Sequence, residues 1–432
     1  MFSAILNAFK IPDLRKKILF TLLIVLLYRV GCHIPAPGVD LDLVSQTVAN
    51  NAAFGLLNLF NGGALEQLSV FALGVMPYIT SSIIMQLLQA AIPTIEEWSK
   101  DEAGQRKITQ ITRYITIGIG LVESIGLLYT FRGAIRTIPS IPGWIAPVLI
   151  VGSLLAGTAL IMWISELITQ RGVGNGMSMI FFSSIVARFP LALVQTFSNT
   201  ANTVWINVIT AVVILAVLLV VIFVVIYIED GQRRIPVQYA KRVVGRKVYG
   251  GSGTYIPLKV NGANVVPIIF ASAILTIPAQ LAQIFSSTAW LQKVANFLSG
   301  STTGGVWYSA WGNWLITFVL IVFFAYFYTA LVFNPIDISD NLRKQGGFVP
   351  GIRPGANTTR YIEQVMNRIT LPGALFLGAI AIGTSILFSL TNSPMVQQFG
   401  GTSILIMVGV ALETMQQIES QLKMRHYEGF FK

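Results

Sequence analysis

The sequence is poor in the residues from which reactive sites are most often built. It has one cysteine, Cys32, and two histidines, His33 and His426, in 432 residues. One cysteine excludes an internal disulfide. So few thiols and imidazoles also exclude a zinc site of the Cys/His kind. Charge is scarce as well: only 11% of residues are Asp, Glu, Lys or Arg, against about 25% in a soluble domain. That excludes a water-exposed globular surface over most of the chain. Acidic residues are the rarer sign, 18 against 29 basic, for a net charge of +11. No H-E-x-x-H, G-x-x-x-x-G-K-[ST] or G-x-S-x-G motif occurs. "GVGNG" at 172–176 is glycine-rich, but no strand precedes it, so it reads as a tight turn and not a phosphate loop.

What is present is apolar length: 54% of residues are hydrophobic. A helix needs roughly 20 mostly apolar residues to cross a hydrocarbon core of about 30 Å. Ten runs meet that demand, at 18–34, 70–91, 111–131, 145–168, 177–197, 205–228, 265–287, 311–333, 369–390 and 400–420. Helices are expected and strands are not, because lipid offers unpaired backbone groups no partner. The first run is expected to be a span and not a cleaved leader, since "PAPGVD" after it reads as a turn. With the N-terminus placed in the cytoplasm, 24 of the 29 Lys and Arg fall on the cytoplasmic side. That bias puts both termini inside.

Ten spans divide as five plus five. The polar "TFSNTANT" (196–203) is the seam, giving halves 1–200 and 201–432. An odd number per half sends the second half in from the opposite side, the arrangement of an inverted repeat. Two cytoplasmic loops are long, 229–264 and 335–368. The first has strand-like runs between glycines and is expected to form a hairpin. Its basic excess suits either contact with anionic lipid or docking of an acidic or nucleic-acid partner. In the external segment 35–69, "FGLLNLFNGGALEQL" is apolar but only about half a membrane long at ~1.5 Å per residue. It suits an interfacial amphipathic helix or a short re-entrant helix inside the protein.

Carboxylates in or near spans are functional candidates by default. Glu123, Glu166 and Glu413 qualify, yet they do not make a proton relay: two lie near cytoplasmic ends and Glu123 stands alone. Val75, Ile79 and Ile83 recur at i, i+4, i+8, as do Met177, Phe181 and Ile185. Each set makes one helical stripe, and by periodicity alone these are core positions.

Six segments, taken in order, resemble one family over essentially the full length. They are "FNGGAL" (60–65), "FALGVMPYITSSIIMQLL" (71–88), "GVGNGMSMIFF" (172–182), "GQRRIPVQYAKR" (231–242), "NLRKQGGFVPGIRPG" (341–355) and "FGGTSILI" (399–406). The chain is similar to the SecY/Sec61-alpha family, the channel subunits of the Sec protein translocon. The resemblance implies an all-α polytopic membrane protein with ten transmembrane helices. These form two inverted, pseudo-symmetric halves around a central pore, with a short re-entrant plug helix near 54–65.

It further implies a waist of apolar side chains: Val75, Ile79, Phe181, Ile185, Ile269 and Ile406, each near the middle of its span. The plug would include Phe60, Asn61, Gly62, Gly63, Ala64 and Leu65. A lateral gate would lie between the second and third spans on one side and the seventh and eighth on the other, with Pro77, Pro267 and Pro278 as points of bending. Arg233, Arg234, Lys241, Arg242 and Arg353 would meet the motor or the ribosome.

The function implied is a passive, non-enzymatic channel without cofactor. It passes unfolded polypeptides and releases apolar segments sideways into lipid. Implied partners are SecE-like and SecG-like small membrane subunits, a SecA-like ATPase, the ribosome through its RNA, preproteins and membrane lipids. The implied location is the bacterial inner (plasma) membrane, multi-pass, with both termini cytoplasmic. A secondary transporter of a small solute would instead need a polar midplane site, and an intramembrane enzyme would need a paired acid or a nucleophile–base set.

Overall fold

The computed structural model describes residues 8–49, 58, 60–135, 144–197, 204–239, 242–244, 247–249, 254–284, 288–298, 307–389 and 401–428. Each of the ten apolar runs carries one long helix. In the first half these are α1 (Pro12–Gly31), then, after a short helix α2 (Leu41–Ala49), α3 (Met76–Ala91). A short helix α4 (Pro93–Lys100) leads to α5 (Glu102–Thr130), α6 (Ile145–Arg171) and α7 (Gly176–Phe197). The second half begins with α8 (Val204–Glu229). Strands β1 (Gln232–Tyr239), β2 (Arg242–Val244), β3 (Lys247–Tyr249) and β4 (Thr254–Lys259) follow. Then come α9 (Val266–Ile284), α10 (Ala289–Leu298), α11 (Trp307–Val332), α12 (Pro335–Lys344), β5 (Gly347–Phe348), α13 (Ala356–Ser389) and α14 (Gly401–Glu428). Among the described residues, six helices are long and apolar enough to cross a membrane, or seven if the bent pair α3–α4 counts as one span.

Local chemistry sets the breaks. Between α3 and α4 the path bends by 106° at Ile92–Pro93. Ile92 is extended, as a residue before proline prefers, and Pro93 opens the next helix, where its missing N–H costs nothing. At the turn before α7, the Asn175 side chain accepts from Met177 N at 3.1 Å, a cap on an otherwise orphaned donor. The rest of that turn is held from across the molecule: Gly174, with φ +87, donates its N–H to Gln417 of α14 at 2.5 Å. The expected tight turn is thus also a tie between the halves.

Several expected boundaries move. Helix α5 starts nine residues before the expected 111, and α13 starts at 356 instead of 369. Both extend out of the apolar run as amphipathic ends, because a helix continues into water as long as one face stays covered. Helix α3 starts at Met76 and not at 70: residues 61–75 form a run of turns, with positive φ at Gly62, Gly63, Leu68 and Gly74. Pro77 falls in the first turn of α3, and Pro267 is the second residue of α9. A proline there removes no helical hydrogen bond, so of the three expected bending points only Pro278 lies inside a helix. The seam segment falls mostly on 198–203, outside the described residues.

The helices close into a ring around one large central cluster, with smaller buried clusters beside it. In the first half α1 packs on α6 and α7, α6 on α5, and α5 on α3. In the second, α9 packs on α11, α11 on α13, α13 on α14, and α14 on α8. The halves meet twice. On one side α3 and α5 lie against α9; on the other α7 lies against α8 and α14.

The two long loops form a small unit of their own. The expected hairpin is β1 against β4, antiparallel, with Ile235 opposite Ile256, and β2–β3 is a second antiparallel pair. Strand β5 from the other loop adds to the free edge of β1, Tyr239 opposite Gly347. The sheet runs β4-β1-β5 and covers a cluster of Ile235, Val237, Leu258, Leu342, Val349 and Ile362. Much of 335–368 is therefore helix and sheet.

Candidate functional site

The centre of the ring is apolar. Val75, Ile79, Phe181, Ile185, Ile269 and Ile406 are all buried, and all belong to one cluster. They come from α3 or its lead-in turn, from α7, from α9 and from α14, so both halves contribute. Apart from Ile185, the tenth residue of the 22 in α7, they sit near helix starts and not at mid-helix. Val75 is the residue before α3, Ile269 lies in the first turn of α9, and Phe181 and Ile406 are each the sixth residue of their helices.

The plug candidates meet this cluster from one side. The described part, 60–65, is turn and not the expected helix beyond Phe60. Residues 54–57 and 59 lie outside the described residues. Phe60 stacks on Phe181, centroids 5.1 Å apart, and Phe60 and Ala64 join the central cluster while Leu65 packs in a second one with Leu127, Phe131 and Leu154. Asn61 donates to Ala72 O at 2.6 Å. A side chain at Gly74 would have its Cβ 2.2 Å from Asn61 Oδ1, so that glycine is required by space as well as by its φ of +58. Buried irregular backbone at membrane depth fits a re-entrant segment, not an interfacial helix.

Polar groups sit around this centre and not in it. Arg29 of α1 donates to Gly62 O at 3.0 Å. Arg188 of α7 is paired with Glu66 at 2.8 Å. Both arginines were overlooked as candidates; the signal available was their position inside apolar runs, which is as costly for a guanidinium as for a carboxylate. Of the carboxylates, Glu166 takes a forked pair from Arg113 at 2.9 and 2.5 Å, tying α6 to α5. Glu123 of α5 is buried, its Oε2 has no hydrogen-bond partner among the described residues, and α5 packs on α9 across the seam between the halves.

The loop arginines are presented outward. Arg233 and Arg234 are exposed on β1, and strand alternation sends them to opposite faces. Arg234 lies over the Tyr255 ring at 4.8 Å. Arg353 is exposed, and its backbone carbonyl accepts from Thr358 Oγ1 at 3.0 Å. Among the described residues its guanidinium makes no hydrogen bond or ion pair. Lys241 lies outside the described residues, and of Arg242 only its place in β2 is described.

Membrane helices from two halves, closed around an apolar centre on which a turn-rich buried segment packs, have the architecture of a membrane channel. The SecY family model matches residues 69–415. A protein translocase subunit SecY of Streptomyces coelicolor is 49% identical, with all of both chains covered. Two solved structures share the fold at 15% identity, with 96% of each chain covered. One is a protein-conducting channel, at TM-score 0.65. The other is a SecY channel whose plug domain stabilises the closed state and maintains a membrane seal, at TM-score 0.60. The chain belongs to the SecY family. It is a multi-pass membrane protein that serves as the channel subunit of a protein translocase. The small-solute reading fails on the same grounds, and the apolar centre gives such a solute no polar seat.

Proposed function

We propose that the chain conducts unfolded polypeptides through the apolar constriction formed by Val75, Ile79, Phe181, Ile185, Ile269 and Ile406, with the segment around residues 60–65 as its plug. The observation that carries this is the meeting of all six side chains in one buried cluster with Phe60 seated on Phe181. A narrow apolar ring disfavours a continuous column of water and ions. It also offers no fixed hydrogen bonds, so it holds no particular sequence. Apolar segments leave through the seam where α3 and α5 meet α9.

The two halves, 1–200 and 201–432, are an inverted pair. Both termini lie in the cytoplasm and the membrane is the bacterial inner membrane, a reading supported by the lysine and arginine bias. Driving energy comes from a SecA-like ATPase or the ribosome docking at Arg233, Arg234, Lys241, Arg242 and Arg353. Arginine's planar fork suits the carboxylates of the one and the RNA phosphates of the other. SecE-like and SecG-like subunits complete the complex in lipid.

The test is crosslinking to a stalled preprotein. In a Cys32→Ser background, cysteines are placed at Ile79 and Ile406, and at Leu23 on the exposed face of α1. A single-cysteine preprotein arrested in transit forms disulfides with positions 79 and 406 and not with 23. Adducts at 23 without adducts at 79 or 406 would overturn the route.

A further inference from the structure

The plug segment has few bonds of its own. Within it, Gly63 N donates to Asn58 O at 2.9 Å, and Ser69 N to Ala64 O at 2.9 Å. Asn58 and Glu66 close the turn reciprocally: Glu66 N donates to Asn58 Oδ1, and Asn58 Nδ2 to Glu66 Oε2, each at 3.1 Å. Ala64 N also donates to Asn61 O at 3.2 Å and Leu68 N to Leu65 O at 3.0 Å, and other ties reach outward. Arg29 Nη1 donates to the Gly62 carbonyl at 3.0 Å, Asn61 to Ala72 O at 2.6 Å, and Arg188 Nη2 to Glu66 Oε2 at 2.8 Å. Every one of these partners belongs to residues 1–200. Among the described residues, no hydrogen bond or ion pair joins 60–69 to the second half.

The Gly62–Gly63 pair has a reason here beyond breaking a helix. A Cβ on Gly62 would lie 2.5 Å from Arg29 Nη1, and one on Gly63 would lie 3.1 Å from Arg188 Nε. The pair therefore lets two guanidiniums lie directly on the backbone of the turn. The Arg188 side chain is 9% exposed and that of Glu66 44%. The buried Arg188 Nε has no hydrogen-bond partner. An arginine that pairs through one Nη while its Nε goes unmet is held less firmly than a forked pair. The contact is strong enough to place the turn and weak enough to be broken.

We propose that Glu66 and Arg188 form an ionic latch which, with Arg29 on the Gly62 carbonyl, fastens the plug to the first half and sets the threshold for its release. Arg188 acts as a positioning residue: it holds the segment that fills the constriction and does not line the path itself. Because the hydrogen bonds and ion pair of 60–69 among the described residues run to the first half only, parting of α3 and α5 from α9 leaves those ties intact. Release requires a second event, the loss of the Glu66 pair. This rests on the reading of 60–65 as the plug.

The experiment measures resting ion leak of the purified complex in planar bilayers for six forms. They are the parent, Glu66→Gln, Arg188→Gln, the charge swap Glu66→Arg with Arg188→Glu, and deletion of 60–65, with Arg188→Lys in reserve. Each single neutralisation is expected to raise the leak roughly tenfold, as an open-state population does when one bond of the closed state is lost. The swap is expected to return it toward the parent. A merely structural role predicts lowered thermal stability and no rescue by the swap. If the deletion leaks and the single variants do not, the latch is wrong and the plug reading stands. A silent deletion overturns the plug reading and the latch with it. If Arg188→Gln does not fold, Glu66→Gln at the half-exposed partner and Arg188→Lys carry the same test, and parental leak in both sinks the proposal.

Discussion

The ring of Phe60 lies against the ring of Phe181, centroids 5.1 Å apart and planes 24° from parallel. One residue belongs to the turn-rich segment before α3, the other to α7, so the proposed plug and the proposed constriction share a contact. An aromatic pair of this geometry is worth about 0.5–1.5 kcal/mol beyond its buried area. Phe60→Ala and Phe181→Ala are each expected to raise resting conductance, and the double variant to show coupling of about two- to tenfold. Strictly additive effects on the leak would show that the stack is not part of the seal.

Ile406→Asn tests the constriction. The side chain is buried among apolar neighbours, and an amide there gives water a partner and lowers the barrier to wetting. The variant is expected to export a reporter with a defective signal sequence that the parent rejects. A side chain that only packs gives another outcome: an unsatisfied amide costing about 1–3 kcal/mol, a lower melting temperature in detergent and no gain in export.

Arg353→Glu tests the docking surface. The loop is stiff: Ile352 N bonds Val349 O at 3.1 Å, Thr358 Oγ1 bonds Arg353 O at 3.0 Å, and Ser339 Oγ bonds Gly355 O at 3.1 Å. Little ordering entropy is left to lose on binding. The variant is expected to insert and melt like the parent while motor-driven export into vesicles falls by at least about tenfold, a loss of ~1.4 kcal/mol of docking energy. Normal export would remove Arg353 from the interface.

Gly74→Ala tests the approach of the plug turn to α3. The position combines φ +58 with an Asn61 oxygen 2.2 Å from where the Cβ would lie. The left-handed conformation alone costs about 1–2 kcal/mol for a non-glycine residue, so the melting temperature should fall by several degrees. Gly118→Ala, where nothing lies within 4 Å, is the control and should melt at or above the parent. Equal melting of the two would show that the turn is looser than described.

The long-range order of this molecule was legible because a hydrocarbon solvent leaves so few solutions. Every apolar run became a helix. The resemblance-based ring residues fall in one cluster, although periodicity alone placed them only in a core. What stayed hidden was set by contacts distant in sequence. Nothing in "FNGGAL" says that Arg29 and Arg188 will lie on its two glycines. Nothing in "QGGF" says that Gly347 will pair with Tyr239, more than a hundred residues earlier. The helix starts at Glu102 and Ala356 were missed for another reason. Hydropathy marks where lipid begins, whereas a helix ends only where its last covered face or its next breaker does.

The pairing of β5 with β1 has a mechanical consequence. Because one sheet joins both long loops, a push on the Arg353 tip is expected to deflect the two together. The 34 residues of α13, roughly 50 Å of rigid rod at 1.5 Å per residue, begin three residues beyond that arginine. At Gly373 the rod has no side chain, and a Cβ there would lie 2.5 Å from the Val260 carbonyl. It rests there backbone to backbone, beside Pro372, where the helix is one hydrogen bond poorer. That contact is a fulcrum about 25 Å from the tip. A displacement of the Arg353 tip is therefore expected to be passed to the start of α13 and to bend that helix at this contact.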